Sequence, residues 1–204
     1  MRPSPFHHSD DSDVVRELIR ENPWATIVST SRGELVASHY PILLDEESAD
    51  LAILTHVGRP DDFVHDFGDR EILLIVQGNN GYISPSWYAP GAIKAPTWNF
   101  SVAHCYGAPE ILDADETLAV LEKLVAHFEN RVAEPMLLDA EWGRPIALGT
   151  VGIRLPISRF ICKIKLSQDK DLVTQRQVIA ALQSPGPFQN QELAKDMTTT
   201  LFGN

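Results

Sequence analysis

The chain has 204 residues and a formal net charge of −11, with 28 acidic against 17 basic side chains. This acidic balance argues against a protein that coats nucleic acid, because phosphate binding needs an electropositive face. The length and the 44% apolar content are typical of one globular domain. No run of about 18 apolar residues predicts a membrane-spanning helix.

The compartment signals favour the cytoplasm. The polar first 13 residues lack the apolar core of a signal peptide. The two cysteines, Cys105 and Cys162, lie in apolar, strand-like surroundings and are predicted to be free buried thiols.

The first half of the chain reads as one helix followed by strands. Residues 10–22 show a helical apolar face with acidic capping residues. Strands are predicted at 24–30, 35–44, 51–57 and 71–76, with a short helical turn at 61–67. Because 31–34 has turn composition, the first two strands are expected to form a hairpin.

The second half contains longer elements. A strand is predicted at 99–112, and Asp113 with Glu116 resembles a capping box that opens an amphipathic helix reaching about Ala133. Residues 135–149 read as irregular or weakly helical, 152–167 as one strand, and 171–183 as a second helix. Ser184-Pro185-Gly186-Pro187 is expected to end that helix, and residues 189–204 to form a loose tail or a short helix.

These elements predict a mainly β protein with peripheral helices, organised as a β-barrel with α additions. No repeat and no linker divides the chain, so residues 1–183 are expected to form one domain, followed by the tail at 184–204.

The stretch from Gly78 to Asn99 is unusual in composition. It combines two tryptophans, two tyrosines and three prolines with many amide and hydroxyl side chains. Flat rings beside hydrogen-bonding groups suit a planar ligand with polar edges. The alternative is a wide turn whose aromatic residues plug the end of a barrel.

A basic segment reverses the sign of the chain locally. Alternation along 160–167 places Lys163 and Lys165 on one face of a strand, while the other face is apolar. Two such cations could hold a phosphate, with added hydrogen bonds from Ser167 and Gln168. The alternative is a solvated strand face, or edge lysines that block aggregation.

Two more residues are isolated candidates. Arg59 follows a strand end, where a guanidinium can make two parallel contacts, or it forms an ordinary surface ion pair. His39 lies in mid-strand, where a hydrogen-bonded structural histidine is the competing interpretation. The spacing of the seven histidines shows no zinc motif, so no metal site is predicted.

Several segments together resemble the PaiB-type FMN-binding negative transcriptional regulators. They are Arg2-Pro3-Ser4-Pro5-Phe6, Ala37-Ser38-His39-Tyr40-Pro41, Thr55-His56-Val57-Gly58-Arg59, Gln77 to Tyr88, Pro96-Thr97-Trp98-Asn99-Phe100 and Lys165-Leu166-Ser167-Gln168. Their order and spacing agree with the family to about Leu182. The pairing of residues 82–88 with Pro96-Thr97-Trp98-Asn99 is the most specific match.

The resemblance implies an FMN-binding split barrel that forms a homodimer, with flavin near the subunit interface. It places Arg59, Lys163, Lys165 and Ser167 at the phosphate or ribityl chain, and Trp98, Asn99 and His39 around the ring. His56 and Gln168 join the cofactor-binding set. The family carries asparagine where this chain has Asp61, and Asn-Arg where it has Asp169-Lys170. These exchanges predict weaker flavin binding or a different ligand.

Three functions follow as hypotheses. The first is a flavin-dependent oxidoreductase, for which the sequence names no acid or base. The second is negative transcriptional regulation; direct DNA binding is poorly supported, because no helix-turn-helix is recognisable and the charge is unfavourable. The third is haem binding, with His39, His56 or His104 as the axial ligand.

Overall fold

The computed structural model describes residue 1 and residues 5–68, 70–92 and 95–203. Arg2, Pro3 and Ser4 of the N-terminal motif therefore lie outside the described residues, as do Ile93 and Lys94 of the aromatic stretch. The described residues form nine strands and six α-helices. The strands are β1 (His8–Ser9), β2 (Trp24–Ser31), β3 (Glu34–Leu44), β4 (Ala52–Gly58), β5 (Ile72–Ile83), β6 (Thr97–Gly107), β7 (Glu110–Ile111), β8 (Thr150–Pro156) and β9 (Arg159–Lys165). The helices are α1 (Ser12–Glu21), α2 (Asp61–His65), α3 (Ala114–Glu129), α4 (Ala140–Leu148), α5 (Leu172–Gln183) and α6 (Gln191–Phe202).

Helix starts follow the sequence signals closely. The Asp113 carboxylate accepts a hydrogen bond from the Glu116 backbone N–H at 2.9 Å. The Glu116 carboxylate accepts one from the Asp113 N–H, also at 2.9 Å. The predicted capping box at the start of α3 is therefore confirmed. At α1, the Asp11 carboxylate accepts from the Asp13 N–H.

Three expectations on elements need correction. Strand β5 continues through Asn79, Asn80 and Gly81 to Ile83, because amides and glycine are tolerated where the strand is partly exposed. The single strand expected at 152–167 is two strands, β8 and β9. The irregular 135–149 segment contains helix α4, whose start is fixed by Asp139 accepting from the N–H groups of Glu141 and Trp142.

Most of the expected tail is helical. Helix α6 buries Leu193, Ala194 and Met197, and Asn190 caps its start by accepting from the Leu193 N–H at 3.0 Å. The helical spacing of its buried apolar residues distinguishes α6 from a polar, unpacked chain end.

The described residues divide into two compact units. The first unit comprises Met1–Asp10, Gln77–Ala103 and Ile161–Asn204, and the second comprises Asp11–Val76 and His104–Phe160. The boundaries fall inside β5, β6 and β9, so each of these strands contributes to both units. The expectation of one domain over 1–183 stays a prediction.

The first unit has the strand order β1-β9-β6-β5 and carries α5 and α6. Its core joins Ile83, Leu166, Val178, Leu182 and Leu193. Gly81 is required beneath α6, because a Cβ there would lie 2.8 Å from a methyl group of Leu193.

The second unit has the antiparallel order β5-β2-β3-β4-β8-β7, with α1 to α4 around it. The predicted hairpin of β2 and β3 is confirmed, and its register places Ile27 opposite Ser38. Helix α3 approaches β8 closely, since a Cβ on Gly152 would lie 2.9 Å from the Thr117 backbone.

Both cysteines are buried free thiols, as predicted. Burial raises the pKa of Cys162 to about 11, so this thiol is a packing group rather than a nucleophile. Among the described residues, no helix has the length and apolar character needed to cross a membrane.

Candidate functional site

Lys165 is the most strongly positioned cation of the first unit. Its Nζ donates to Thr97 Oγ1 at 2.5 Å and to the Trp98 carbonyl at 2.7 Å. Burial lowers the pKa of Lys165, and neighbouring Asp169 opposes that shift. An ammonium has three N–H groups, so one remains for an anion once two are fixed.

The first unit contains other basic groups near Lys165. Lys163 and Lys170 are close to it along the chain, and His7 interacts electrostatically with all three lysines. Lys163 lies on the same face of β9, with Nζ 5.7 Å from the centre of the Phe100 ring. Lys170 donates to the Asp169 carboxylate at 2.7 Å. Burial and the three lysines lower the pKa of His7, while Asp169 raises it. The cluster is therefore cationic with one internal carboxylate.

Asn99, Ser167 and Gln168 form the hydrogen-bonded support of that cluster. Asn99 is 0% exposed, and its Nδ2 donates to Ser167 Oγ at 2.9 Å and to Met197 Sδ at 3.4 Å. Gln168 closes the turn after β9, since it accepts from the Leu166 N–H and donates to the Ile164 carbonyl, both at 2.6 Å. Ser167 has a φ of 66°, a left-handed conformation that these bonds maintain.

Trp98 presents the aromatic surface of the first unit. Its side chain is 53% exposed, and its ring meets the Tyr82 ring edge-on at 6.2 Å. The half-exposed indole offers a flat apolar face to a ligand.

The second unit holds His56, Tyr40 and Asp61 together. The His56 Nδ1 atom is buried and has no hydrogen-bond partner among the described residues. Burial lowers the pKa of His56, so the ring is neutral at pH 7. The Tyr40 ring lies 6.2 Å from the His56 ring, and its hydroxyl donates to the Asp61 carboxylate. Burial, with Asp61, raises the pKa of Tyr40 to about 12.

Arg59 and His39 also belong to the second unit. Arg59 is 52% exposed, and its Nη1 donates to an Asp62 carboxylate oxygen at 3.4 Å. The Arg59 backbone N–H donates to the Gly149 carbonyl at 3.0 Å, which fixes the strand end. His39 is exposed and shares a hydrogen bond of 2.9 Å between Nδ1 and Thr26 Oγ1.

The structure thus brings six predicted site residues together in the first unit. They are Trp98, Asn99, Lys163, Lys165, Ser167 and Gln168. His39, His56 and Arg59 lie in the second unit. The sequence interpretation missed the partners that hold these groups, namely Thr97 on Lys165 and Tyr40 on Asp61. Thr97 stands next to Trp98 in the matching motif, and that adjacency was the available signal.

Metal-ligating side chains do not assemble in the described part of the chain. No group of three or more His, Cys, Asp or Glu side chains there could hold a metal ion.

A family model decides where the chain belongs. The family described as "Putative FMN-binding domain" matches residues 1–159. The chain belongs to this family. The match confirms the resemblance seen in the motifs, and FMN is the cofactor that the family description names.

Named relatives extend the comparison. The chain is 29% identical over 198 residues to the protease synthase and sporulation protein PAI 2 of Bacillus subtilis, which covers 91% of this chain and 92% of that protein. It is 30% identical over 108 residues to the uncharacterized protein YKL070W of Saccharomyces cerevisiae, covering 49% of this chain and 63% of that protein.

Solved structures confirm the fold. An FAD- and haem-binding protein of Mycobacterium smegmatis matches with a TM-score of 0.61 and 17% identity, over 89% of this chain and 81% of that one. The flavocytochrome Anf3 of Azotobacter vinelandii matches with a TM-score of 0.58 and 15% identity, over 93% and 74% of the two chains. The predicted split-barrel fold, mainly β with peripheral helices, is thereby confirmed.

Proposed function

We propose that this FMN-binding-domain protein holds the FMN phosphate on the cation cluster of its first unit. The observation that carries the proposal is Lys165, whose ammonium is fixed by Thr97 and Trp98 and has one N–H without a partner among the described residues. Lys163 adds a second cation on the same strand face. A phosphate dianion gains most from cations that are already positioned, because no side-chain entropy is then lost on binding.

The predicted site residues of the first unit divide into those that can contact FMN and those that hold the contacting residues in place. Lys163, Lys165 and Trp98 are available for contact with FMN. The side chains of Asn99 and Ser167 are hydrogen-bonded to each other, and the Gln168 amide is hydrogen-bonded to the backbone. We therefore assign these three as positioning residues, which hold the turn after β9 in the conformation that aims Lys165.

The second unit supplies separate candidates. Arg59 makes one long hydrogen bond with its guanidinium, which leaves most of its donors for an anion. His56 has a buried ring nitrogen without a partner among the described residues, and a cofactor amide or carbonyl would satisfy it. His39 is exposed enough to contact a ligand. Each of these three is proposed as an FMN contact on its own.

The side chains fit the needs of a flavin. Its phosphate requires cations, and its ring requires an apolar face with polar groups at the edge. When bound, FMN supplies the redox chemistry of a flavin-dependent oxidoreductase. The contribution of this chain is to bind and orient the cofactor.

The test is titration of flavin-free protein with FMN, followed by calorimetry and by the visible spectrum after desalting. Lys165→Met should weaken binding on the order of 10- to 100-fold, since a hydrogen bond to a charged group contributes roughly 1.5–3 kcal/mol. Lys195→Met on α6 is the matched control and should bind as the parent does. Failure of the parent chain to bind FMN would overturn the proposal.

We also propose a homodimer in the cytoplasm. Exposed apolar side chains on β2, β3 and α2, including Trp24, Leu35 and Phe63, favour an interface between copies. Sedimentation equilibrium should give twice the chain mass. A monomer at concentrations that saturate FMN binding would contradict it.

A regulatory role is the second candidate. It rests on the match to PAI 2 over 91% of the chain, a protein named for protease synthesis and sporulation. The net charge of −11 favours an indirect effect, through redox chemistry or a partner protein, over direct DNA binding. A low-salt gel shift with DNA upstream of the chain's own gene should be negative.

Haem remains the alternative cofactor, favoured by the unpartnered Nδ1 of His56. Reconstitution with haemin should then give a Soret band that His56→Ala removes. A band unaffected by changes at His39, His56 and His104 would exclude all three as ligands.

A further inference from the structure

One cavity of the first unit is lined by residues that do not belong to the cation cluster. The 3-10 helix Pro85–Trp87 forms one wall, and the turn between α5 and α6 forms the other. The cavity encloses about 470 Å³. That volume falls within the range of small-molecule sites, roughly 300–1,000 Å³.

Aromatic rings lead along the surface into this cavity. Trp98, Tyr82, Phe188 and Trp87 form an aromatic row, with successive ring centres 6.2, 5.0 and 6.4 Å apart. The rings meet at steep or tilted angles, so a planar molecule could stack on one and contact the edge of the next. Phe188 is 47% exposed and Trp87 partly buried, so both offer surface to a ligand.

The lining carries no charge among its ten described residues. This is notable in a chain with 45 charged side chains, 28 acidic and 17 basic. An ion would have to give up water there without gaining an opposite charge, which is unfavourable. The cavity therefore selects an uncharged molecule.

Hydroxyl groups supply the polar contacts. Ser84 and Ser86 share a hydrogen bond of 2.7 Å between their Oγ atoms, and Ser84 Oγ also accepts from the Ser86 N–H at 3.2 Å. Ser86 is exposed, so its hydroxyl can turn toward a ligand. Ser184 on the opposite wall donates to the Ala180 carbonyl at 2.8 Å and keeps its oxygen as an acceptor.

The walls are preformed. Pro85, Pro185 and Pro187 limit backbone freedom. The Asn190 N–H anchors the turn by donating to the Leu182 carbonyl at 2.8 Å. A preformed cavity binds without the cost of ordering loops.

We propose that this cavity is a binding site for an uncharged planar aromatic molecule with a hydroxyl or carbonyl on its edge. The site stands independently of FMN binding, because none of its lining residues belongs to the cation cluster. If the protein is a flavin-dependent oxidoreductase, an uncharged aromatic compound is the substrate class that this unit would bring to it.

The test uses 2-naphthol as the probe, with calorimetric titration of flavin-free protein. The probe should bind, and the anion 2-naphthalenesulfonate should bind at least tenfold more weakly. Phe188→Ala should weaken 2-naphthol roughly five- to tenfold, the value of an aromatic contact. Ala181→Phe, which fills the cavity from α5, should abolish binding. Phe202→Ala is the control, since Phe202 is an exposed aromatic of α6 outside the cavity.

The outcomes separate the two proposals. Binding of 2-naphthol in a chain that does not bind FMN would support the cavity and overturn only the flavin site. Binding that is lost in Trp98→Ala but kept in Phe188→Ala would place the probe at Trp98 and overturn the cavity. Equal binding of the sulfonate, or no binding at all, would overturn it as well.

Discussion

The buried polar network around Asn99 in the first unit and a set of buried polar atoms in the second unit are satisfied to different degrees. In the first unit, Asn99 and Ser167 bond to each other, and Gln168 uses both ends of its amide on the backbone. In the second unit, the buried atoms His56 Nδ1, Asp62 Oδ1 and His65 Nε2 have no hydrogen-bond partner among the described residues.

This difference separates the polar groups that stabilise the fold from those that remain available to bind a ligand. A buried polar atom without a partner costs free energy of folding, whereas a paired one contributes to it. The network of Asn99, Ser167 and Gln168 in the first unit is therefore a fully paired scaffold that positions Lys165. The second unit retains atoms that a ligand can satisfy, and His56 is one of them.

Removing the hydrogen bond between Asn99 and Ser167 should have the largest effect on the free energy of unfolding. Asn99→Ala leaves Ser167 with a lost partner and opens a cavity beside Met197, so we expect a loss of about 2–4 kcal/mol in the free energy of unfolding. Urea denaturation measures it. Asn80→Ala is the matched control, because Asn80 is exposed, its side-chain amide makes a long 3.4 Å hydrogen bond to the Gly78 carbonyl, and its backbone bond to Asn190 is kept in the variant. Equal losses in the two variants would show that the Asn99–Ser167 pair does not support the fold.

Acid should weaken the second unit through its histidines. Burial lowers the pKa of His56 and of His65 below the ordinary value of 6.5. The unfolded chain therefore binds protons first as the pH falls, so stability present above pH 6.5 is lost below it. Urea midpoints should drop between about pH 7.5 and about pH 5.5. Asp196, whose pKa burial raises, acts in the opposite direction. A midpoint that rises on acidification would contradict the prediction.

Replacing His65, which has one of its two ring nitrogens without a partner among the described residues, should change the free energy of unfolding little. His65 bonds Ser29 Oγ through Nδ1 at 2.8 Å and stacks on Phe67, while its Nε2 is buried without a partner. His65→Phe keeps the stacking and removes the unpaired nitrogen, and Ser29 retains the His65 backbone carbonyl at 3.2 Å. We expect a change within about 1 kcal/mol in the free energy of unfolding and a shallower pH dependence. A loss as large as that of Asn99→Ala would remove the contrast between the units.

The sequence predicted helices and strands more accurately than it predicted which distant side chains contact each other. Alternation placed Lys163 and Lys165 on one strand face, and the Asp113–Glu116 spacing predicted a real capping box, because both signals are local. The partners of Asn99 are 68 and 98 residues away. Periodicity carries no information on such long-range pairs. The motif resemblance could name Asn99 as a site residue but could not distinguish a ligand contact from a buried support.

The Asp61 exchange is the smallest and most specific test of that resemblance. Asp61 stands where the family has asparagine, and its carboxylate accepts the Tyr40 hydroxyl and helps to raise the Tyr40 pKa. Asp61→Asn keeps an acceptor oxygen but removes the charge, so the Tyr40 pKa should fall while burial still holds it above its ordinary value. Ultraviolet titration against Tyr40→Phe assigns the change. An unchanged tyrosine titration would show that Asp61 does not set the protonation of Tyr40, and the asparagine of the family would then have to act on something other than this hydroxyl.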